Sequence, residues 1–263
     1  MSHNGRNRPC ADSPALGVEE SCSVSPAPSF FILFTLNVLA VTKSVSQDSS
    51  SSAPRFNPQI RRVQQDVLRM GALVEHSSWL AYQALVERNL DAAGQIAAQD
   101  KAVDQLYRQI ELDCIHLMSG QASVSQDMRL LSAMMQLIRD LERIGDYAKD
   151  VGEIAVRLFP YPPHPHIARI GLMLDRCRAM LAMSLESLIH LDDQLGRGIK
   201  DKDDLVDDDY DSLYQLLVHP PQPPEHFEPI VLLVLTIRCL ERMADHATNI
   251  GNRVVYIVTG KRG

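Results

Sequence analysis

From about residue 57 onward, the apolar positions of this chain step by threes and fours, the spacing that lays one stripe along an α-helix. The clearest run is 137–158, where Leu141, Ile144, Ala148, Val151, Ala155 and Leu158 form the stripe. A second run, 237–258, repeats it with Leu240, Met243, Ala247, Ile250, Val254 and Ile257. Polar positions repeat in register: Glu142, Asp146 and Asp150 align with Glu241, Asp245 and Asn249. Both runs carry L-E-R-[I/M]-[G/A]-D. Acids at i, i+4 and i+8 stack along one side of a helix. At about 100° per residue they fall roughly 160° from the centre of the stripe. The pattern predicts helices with an apolar seam turned inward and a carboxylate row turned outward.

The same period predicts helices over 60–90, with Pro58 in the first turn, then over 91–118 and 127–158. Residues 119–126, SGQASVSQ, are a polar break. Residues 159–166, FPYPPHPH, cannot continue a helix, because proline lacks the donor and crowds the preceding turn. The order then recurs: helices over 167–199 and 200–218, a break at 219–229, and a helix over 230–259. D-x-x-x-D-x-L-Y stands in both second helices, as Asp100 and Asp104 and as Asp207 and Asp211. With E-R-x-x-D in both third helices, this is a duplicated unit of ordinary domain size. The expected fold is all-α: two tandem, pseudo-symmetric, antiparallel three-helix bundles, over 55–160 and 161–263.

Residues 1–54 differ from the rest. They are rich in Ser, Pro and Asn and are expected to be a disordered leader. Their one apolar run, FFILFTLNVLAV at 30–41, is short of the roughly 20 residues of a membrane-spanning helix. Glu19 and Glu20 stand where a signal peptide would be basic. No stable membrane insertion is expected. Composition narrows the class further. The net charge of −7 and the lack of a Lys/Arg-rich stripe argue against nucleic-acid binding. The five cysteines form no C-x-x-C pair and read as free thiols of a reducing, cytoplasmic setting.

The acid rows are the candidate chemistry. If second and third helices lie side by side, Asp100 and Asp104 can face Glu142, Asp146 and Asp150. In the other unit, Asp207 and Asp211 can face Glu241, Asp245 and Asn249. Clustered carboxylates repel unless cations or protons relieve them. Oxygen donors suit magnesium, manganese, calcium or iron. Zinc is less expected, since no His or Cys shares the acid face. Asn249 brings no charge, so the first unit is expected to hold metal more tightly. The plain alternative is a solvated acidic face on a helical scaffold. Against it stands the expectation that the rows lack the i+4 Lys or Arg partners of such faces. The enzyme alternative is a di-metal carboxylate oxidase, but that chemistry uses Glu-x-x-His pairs facing the bundle core, and the chain has none.

L-E-R-I-G-D and L-E-R-M-A-D, each following a D-x-x-x-D-x-L-Y helix, resemble the PhoU family of phosphate-uptake regulators over about 57–262. The resemblance implies two three-helix bundles whose acid rows bind surface metal clusters. Metals found across that family include iron, zinc, manganese and magnesium. The metal positions carried over are Asp100, Asp104, Glu142, Asp146, Asp150, Asp207, Asp211, Glu241 and Asp245, with Asn249 in the place of the last acid. It further implies a non-enzymatic, cytoplasmic negative regulator of the phosphate-starvation response. The implied partners are a phosphate ABC transporter and a sensor histidine kinase. A homo-oligomer, most simply a homodimer, is expected.

Overall fold

The computed structural model describes residues 58–120, 125–220 and 225–261. The expected leader over 1–54, with its apolar run, lies outside the described residues. Among those described, seven helices follow one another: α1 (Pro58–Leu85), α2 (Leu90–Gly120), α3 (Ser125–Leu158), α4 (Ile167–His190), α5 (Asp193–Gly198), α6 (Lys200–Val218) and α7 (Glu228–Thr259). Among the described residues there is no strand, and no helix is long and apolar enough to cross a membrane.

The predicted stripes become the core. Leu137, Leu141, Ile144, Ala148 and Val151 of α3 are buried, as are Ile237, Leu240, Ala247, Ile250 and Val254 of α7. Each large side chain removed from water contributes roughly 1.5–3 kcal/mol. Four long helices close a ring of contacts: α1 on α3, α3 on α7, α7 on α4, and α4 back on α1. Outside it, α2 packs on α1 and α3, and α6 packs on α7 and α4. Each repeat is thus a three-helix bundle, and the two share one core through α3 and α7.

The ends of the helices have local causes. Arg88, at φ 58°, turns the chain after α1. Its guanidinium donates to the carbonyls of Phe159 and Tyr161 and lies 4.9 Å from the Phe159 ring centroid, tying the proline linker to α1. The helix expected over 167–199 is in fact two. Leu191 takes the left-handed conformation at φ 51°, ψ 43°. Asp192 then accepts from the backbone N–H groups of Gln194 and Leu195, at 2.9 and 3.0 Å, and caps α5. Such an N-cap starts a new helix in its own direction. The bend brings Gly196 of α5 against Gly251 of α7, where a Cβ on Gly251 would stand 2.7 Å from the Gly196 carbonyl oxygen. The equivalent Gly152 of α3 instead receives the Ile96 side chain of α2, 2.7 Å from where its Cβ would be.

The expected free thiols are found at Cys114 and Cys177, both buried, and at half-buried Cys239. Burial pushes the Cys114 thiol up to about 12 and that of Cys239 up to about 11, so both stay protonated and unreactive at neutral pH.

Candidate functional site

Each acid row lies on one side of its helix because the i, i+4, i+8 spacing places it there. That side is not fully solvated. In unit one α2 lies along the same flank of α3, leaving Glu142 and Asp146 half-buried between the helices and Asp150 exposed at the far end. In unit two the Glu241 side chain is only 16% exposed, while Asp207, Asp211 and Asp245 stand open and Asn249 is half-buried. The acids therefore flank the seam and do not oppose it as a lone helical wheel suggests. The reason is that α3 and α7 each have neighbours on several sides.

Across the α2–α3 groove, the carboxylates feel one another. Burial raises the Glu142 pKa first and the Asp146 charge adds to it, with Asp104 contributing from α2 against the opposing pull of Arg143. Asp146 is raised by burial and by Asp100 and Asp104, while Arg143 and Lys149 lower it. Asp150 is raised by burial and then by Glu153 and Asp146. Across the α6–α7 groove, burial raises Asp207, as do Asp203 and Asp245. Glu241 is raised by burial, then by Asp245, and also by Asp207. Both grooves hold negative charge in surroundings that disfavour it.

The structure adds cations that the helical wheel hides. Lys149, on α3, reaches across the groove and sets its Nζ 2.6 Å from Oδ2 of Asp100. Arg238 lies 2.7 Å from Oε1 of Glu241, and Arg143 lies 3.4 Å from Oδ2 of Asp146. Arg108 is the i+4 partner of Asp104, at 3.6 Å. The rows therefore do have basic partners, contrary to the sequence expectation. One partner stands at i+4, and the others come from i−3 or the facing helix, so a search at i+4 alone does not find them.

Sequence reasoning also left out Asp203. It sits one turn before Asp207 on α6, so the i, i+4 ladder runs Asp203, Asp207, Asp211; the same spacing that marked the other two extends to it. Asp203 is buried and its Oδ2 accepts from Lys200 Nζ at 2.9 Å. With Lys149 inside one row and Asp203 beside the other, carboxylate count no longer ranks the two units. Asp209 lies off the row, as its register requires, and pairs with Arg176. Two buried oxygens of α7 have no hydrogen-bond partner: Glu241 Oε2 and Thr248 Oγ1. Among the described residues, no three Asp, Glu, His or Cys side chains converge as a metal-holding group, so the rows face each other as open troughs.

A second polar feature lies on the α3–α7 seam. His246 Nδ1 stands 2.8 Å from Oδ1 of buried Asp140, and the His246 ring stacks on Tyr147 at 6.0 Å between centroids. Tyr147 and His246 occupy equivalent positions in the two repeats, so they meet at the pseudo-two-fold axis.

Comparison with known proteins agrees with this architecture. The PhoU domain family matches the chain twice, over residues 67–155 and 170–254. A protein of Synechocystis sp., named phosphate-specific transport system accessory protein PhoU homolog, is 54% identical over 207 residues, covering 79% of this chain and 92% of that protein. The crystal structure of PhoU from Pseudomonas aeruginosa superposes with a TM-score of 0.75 at 28% identity, covering 79% of this chain and 100% of that one. The phosphate transport system regulatory protein PhoU from Streptococcus pneumoniae gives 0.72 at 26% identity, covering 78% and 97%.

Proposed function

The chain belongs to the PhoU family, and from that premise we propose that it is an accessory and regulatory protein of phosphate transport. In this reading it restrains phosphate uptake and the phosphate-starvation response from the cytoplasm. It is an adaptor, not an enzyme, standing between a phosphate ABC transporter and a sensor histidine kinase, and it acts as a homodimer. The relatives are named accessory or regulatory proteins, which agrees with a non-enzymatic role.

Its acid rows bind metal. The observation that carries this is the pair of facing rows whose carboxylates are pushed toward protonation. Hard cations relieve such repulsion through oxygen donors. The oxygen donors suit a hard cation by their chemistry, and the buried Oε2 of Glu241, which has no hydrogen-bond partner, is available to ligate one. Asp100, Asp104, Glu142, Asp146 and Asp150 would hold metal in unit one; Asp207, Asp211, Glu241, Asp245 and Asn249 would hold it in unit two. Iron, manganese or magnesium suit these donors better than zinc. Bound metal would supply positive charge at the surface, to which an acidic group of a partner can attach.

One observation favours a second reading. Lys149, Arg108, Arg143 and Arg238 already compensate part of each row, as on a plain solvated scaffold. A genetic experiment separates the two. Loss of this chain should raise phosphate uptake and a starvation-response reporter in phosphate-replete cells. Wild type should restore repression, and an Asp146→Ala, Asp245→Ala variant should not. Restoration by the variant would leave the rows as solvating surface. Unchanged uptake on loss of the chain would remove the regulatory reading itself.

A further inference from the structure

A cavity of about 740 Å³ lies where the two units meet. The ends of α1 and α3 and the proline linker wall one side, and the start of α4, the end of α6 and the start of α7 wall the other. The space is of ligand size, and a junction between domains is a common place for a ligand pocket. Leu85, Leu158, Ile167, Ile230 and Leu233 make much of the wall apolar. Pro160, Pro162, Pro163 and Pro165 of the linker add to it. Proline fixes its own φ, so that side is rigid before anything binds.

The polar groups on this wall are chiefly donors. Arg88 lines it from φ 58°, a conformation in which a residue other than glycine persists only where its surroundings hold it. A guanidinium carries five N–H donors. Those of Arg88 reach two neutral carbonyls, Phe159 and Tyr161, and among the described residues no carboxylate pairs with its charge. His164 adds another donor. Its Nδ1 accepts from the His166 backbone N–H at 3.3 Å, which places the ring proton on Nε2. Burial, and then His166, hold the His164 pKa below its ordinary value, so at neutral pH the ring is neutral and presents that one N–H. The Tyr161 hydroxyl is already used: it donates to Glu228, whose charge Arg157 meets. The one carboxylate on the wall is Glu225, which is exposed.

These groups define a ligand class. A half-buried guanidinium without a carboxylate calls for an anion. One guanidinium beside one neutral imidazole matches a single carboxylate, which can take two parallel N–H···O bonds from the arginine. A cation would be repelled by Arg88, and a polyanion would bring more charge than this wall meets. The rest of the space is apolar and far larger than a carboxylate fills. A monocarboxylate with an alkyl chain fits both parts.

We propose that the cavity between the two units binds a small amphipathic carboxylate, with its head on the Arg88 guanidinium and the His164 ring N–H and its alkyl chain along Leu85, Leu158, Ile230 and Leu233. Such a ligand is held at once by α1, the linker and α7. It therefore ties the two units together and lets the level of a small organic acid act on the protein without passing through the acid rows.

The test is isothermal titration of the full-length chain, with thermal melts alongside, using octanoate, hexanoate and 1-octanol as probes. Octanoate should bind at a single site and raise the melting temperature. Hexanoate should bind more weakly by roughly threefold to fourfold for each CH₂ removed, the transfer free energy of a buried methylene. Octanol, with a comparable chain and no charge, should bind at least about tenfold more weakly than octanoate. Arg88→Met, and His164→Phe, which keeps a ring and loses the donor, should each weaken octanoate about tenfold and leave octanol unchanged. Retained octanol binding shows that the cavity is intact in these variants. Ile230→Trp, which fills the cavity from a partly buried position, should abolish binding of both probes with unchanged helicity. No binding of octanoate at millimolar concentration would overturn the site. Octanoate binding that survives Ile230→Trp would place it elsewhere and overturn the site equally. Octanol binding as tightly as octanoate, or both probes weakened alike by Arg88→Met and His164→Phe, would overturn the assignment of the head.

Discussion

Lys149 Nζ stands 2.6 Å from Oδ2 of Asp100 and joins α3 to α2 across the acid groove of unit one. Its counterpart in unit two is Thr248, whose hydroxyl has no partner. The ammonium is a resident cation in a site proposed for metal. Lys149→Met should therefore raise divalent metal bound by unit one at limiting metal, by several-fold, as read by metal analysis in an Asp245→Ala background. The metal-free variant should melt a few degrees lower, since a half-exposed ion pair contributes no more than about 1 kcal/mol. Unchanged metal content would place Lys149 outside the site.

Glu142, Asp146 and Asp150 have pKa values raised by burial and by neighbouring carboxylates. A carboxylate raised in the folded state favours folding once protonated. That contribution is complete below the ordinary carboxylate range and is lost as pH rises through the raised folded values. Glu228, held down by Arg157 and Tyr161, runs the other way. Metal-free protein should thus gain stability relative to a Glu142→Gln, Asp146→Asn, Asp150→Asn variant as pH falls from neutrality into the raised range. Added divalent metal should stabilise the wild type most at neutral pH and least in acid. Thermal melts of both proteins from pH 7 to pH 4 give the comparison, and parallel curves would contradict it.

Removing metal should leave the helices intact. The core consists of apolar side chains from all six long helices, including Ile96 and Ile110 of α2 and Val206 and Leu213 of α6, and the acid rows lie outside it. Circular dichroism with excess chelator should match that of metal-loaded protein. Unfolding on chelation would make the metals structural.

The Asp140–His246 bond couples the two repeats. Asp140 is buried, and His246→Ala would leave its carboxylate without that partner. The expected loss is about 1–3 kcal/mol of stability. Asp140→Ala should recover part of it in the double variant, with a coupling of about 1 kcal/mol in a denaturant-melt cycle. Strict additivity would mean that the bond contributes nothing to joining the units.

Glycines should separate close packing from open helix surface. Gly251→Ala places a Cβ 2.7 Å from the Gly196 carbonyl oxygen and from Ile199 Cδ1, and should cost about 1–3 kcal/mol. Gly94, on α2, has nothing within 4 Å of such a Cβ, so Gly94→Ala should stabilise by roughly 0.5–1 kcal/mol. Melting temperatures moving in opposite directions are the expected result.

The sequence by itself determined the helical class, the duplication and, Asp203 aside, the positions of both acid rows, because each is written as a period within single helices. The stripe from Leu141 to Leu158 and its copy from Leu240 to Ile257 needed no partner to be read, and most of it is buried as expected. Only tertiary structure decided which flank of each row is covered and which cations enter it. Lys149 meets Asp100 from 49 residues away in the chain, a distance no local period encodes. The pairing of His246 with Asp140 spans 106 residues and arises because α3 and α7 cross at the pseudo-two-fold axis. The break at Leu191 was hidden for another reason. The apolar period runs on through it, and the turn depends on an Asp192 cap and on a close approach of Gly196 to Gly251 that becomes visible only when α5 meets α7. Phe227 and Val231 lie in a stretch whose hydrophobicity resembles that of a core helix. Whether such residues are inside or outside is settled by what packs against them, and both are exposed.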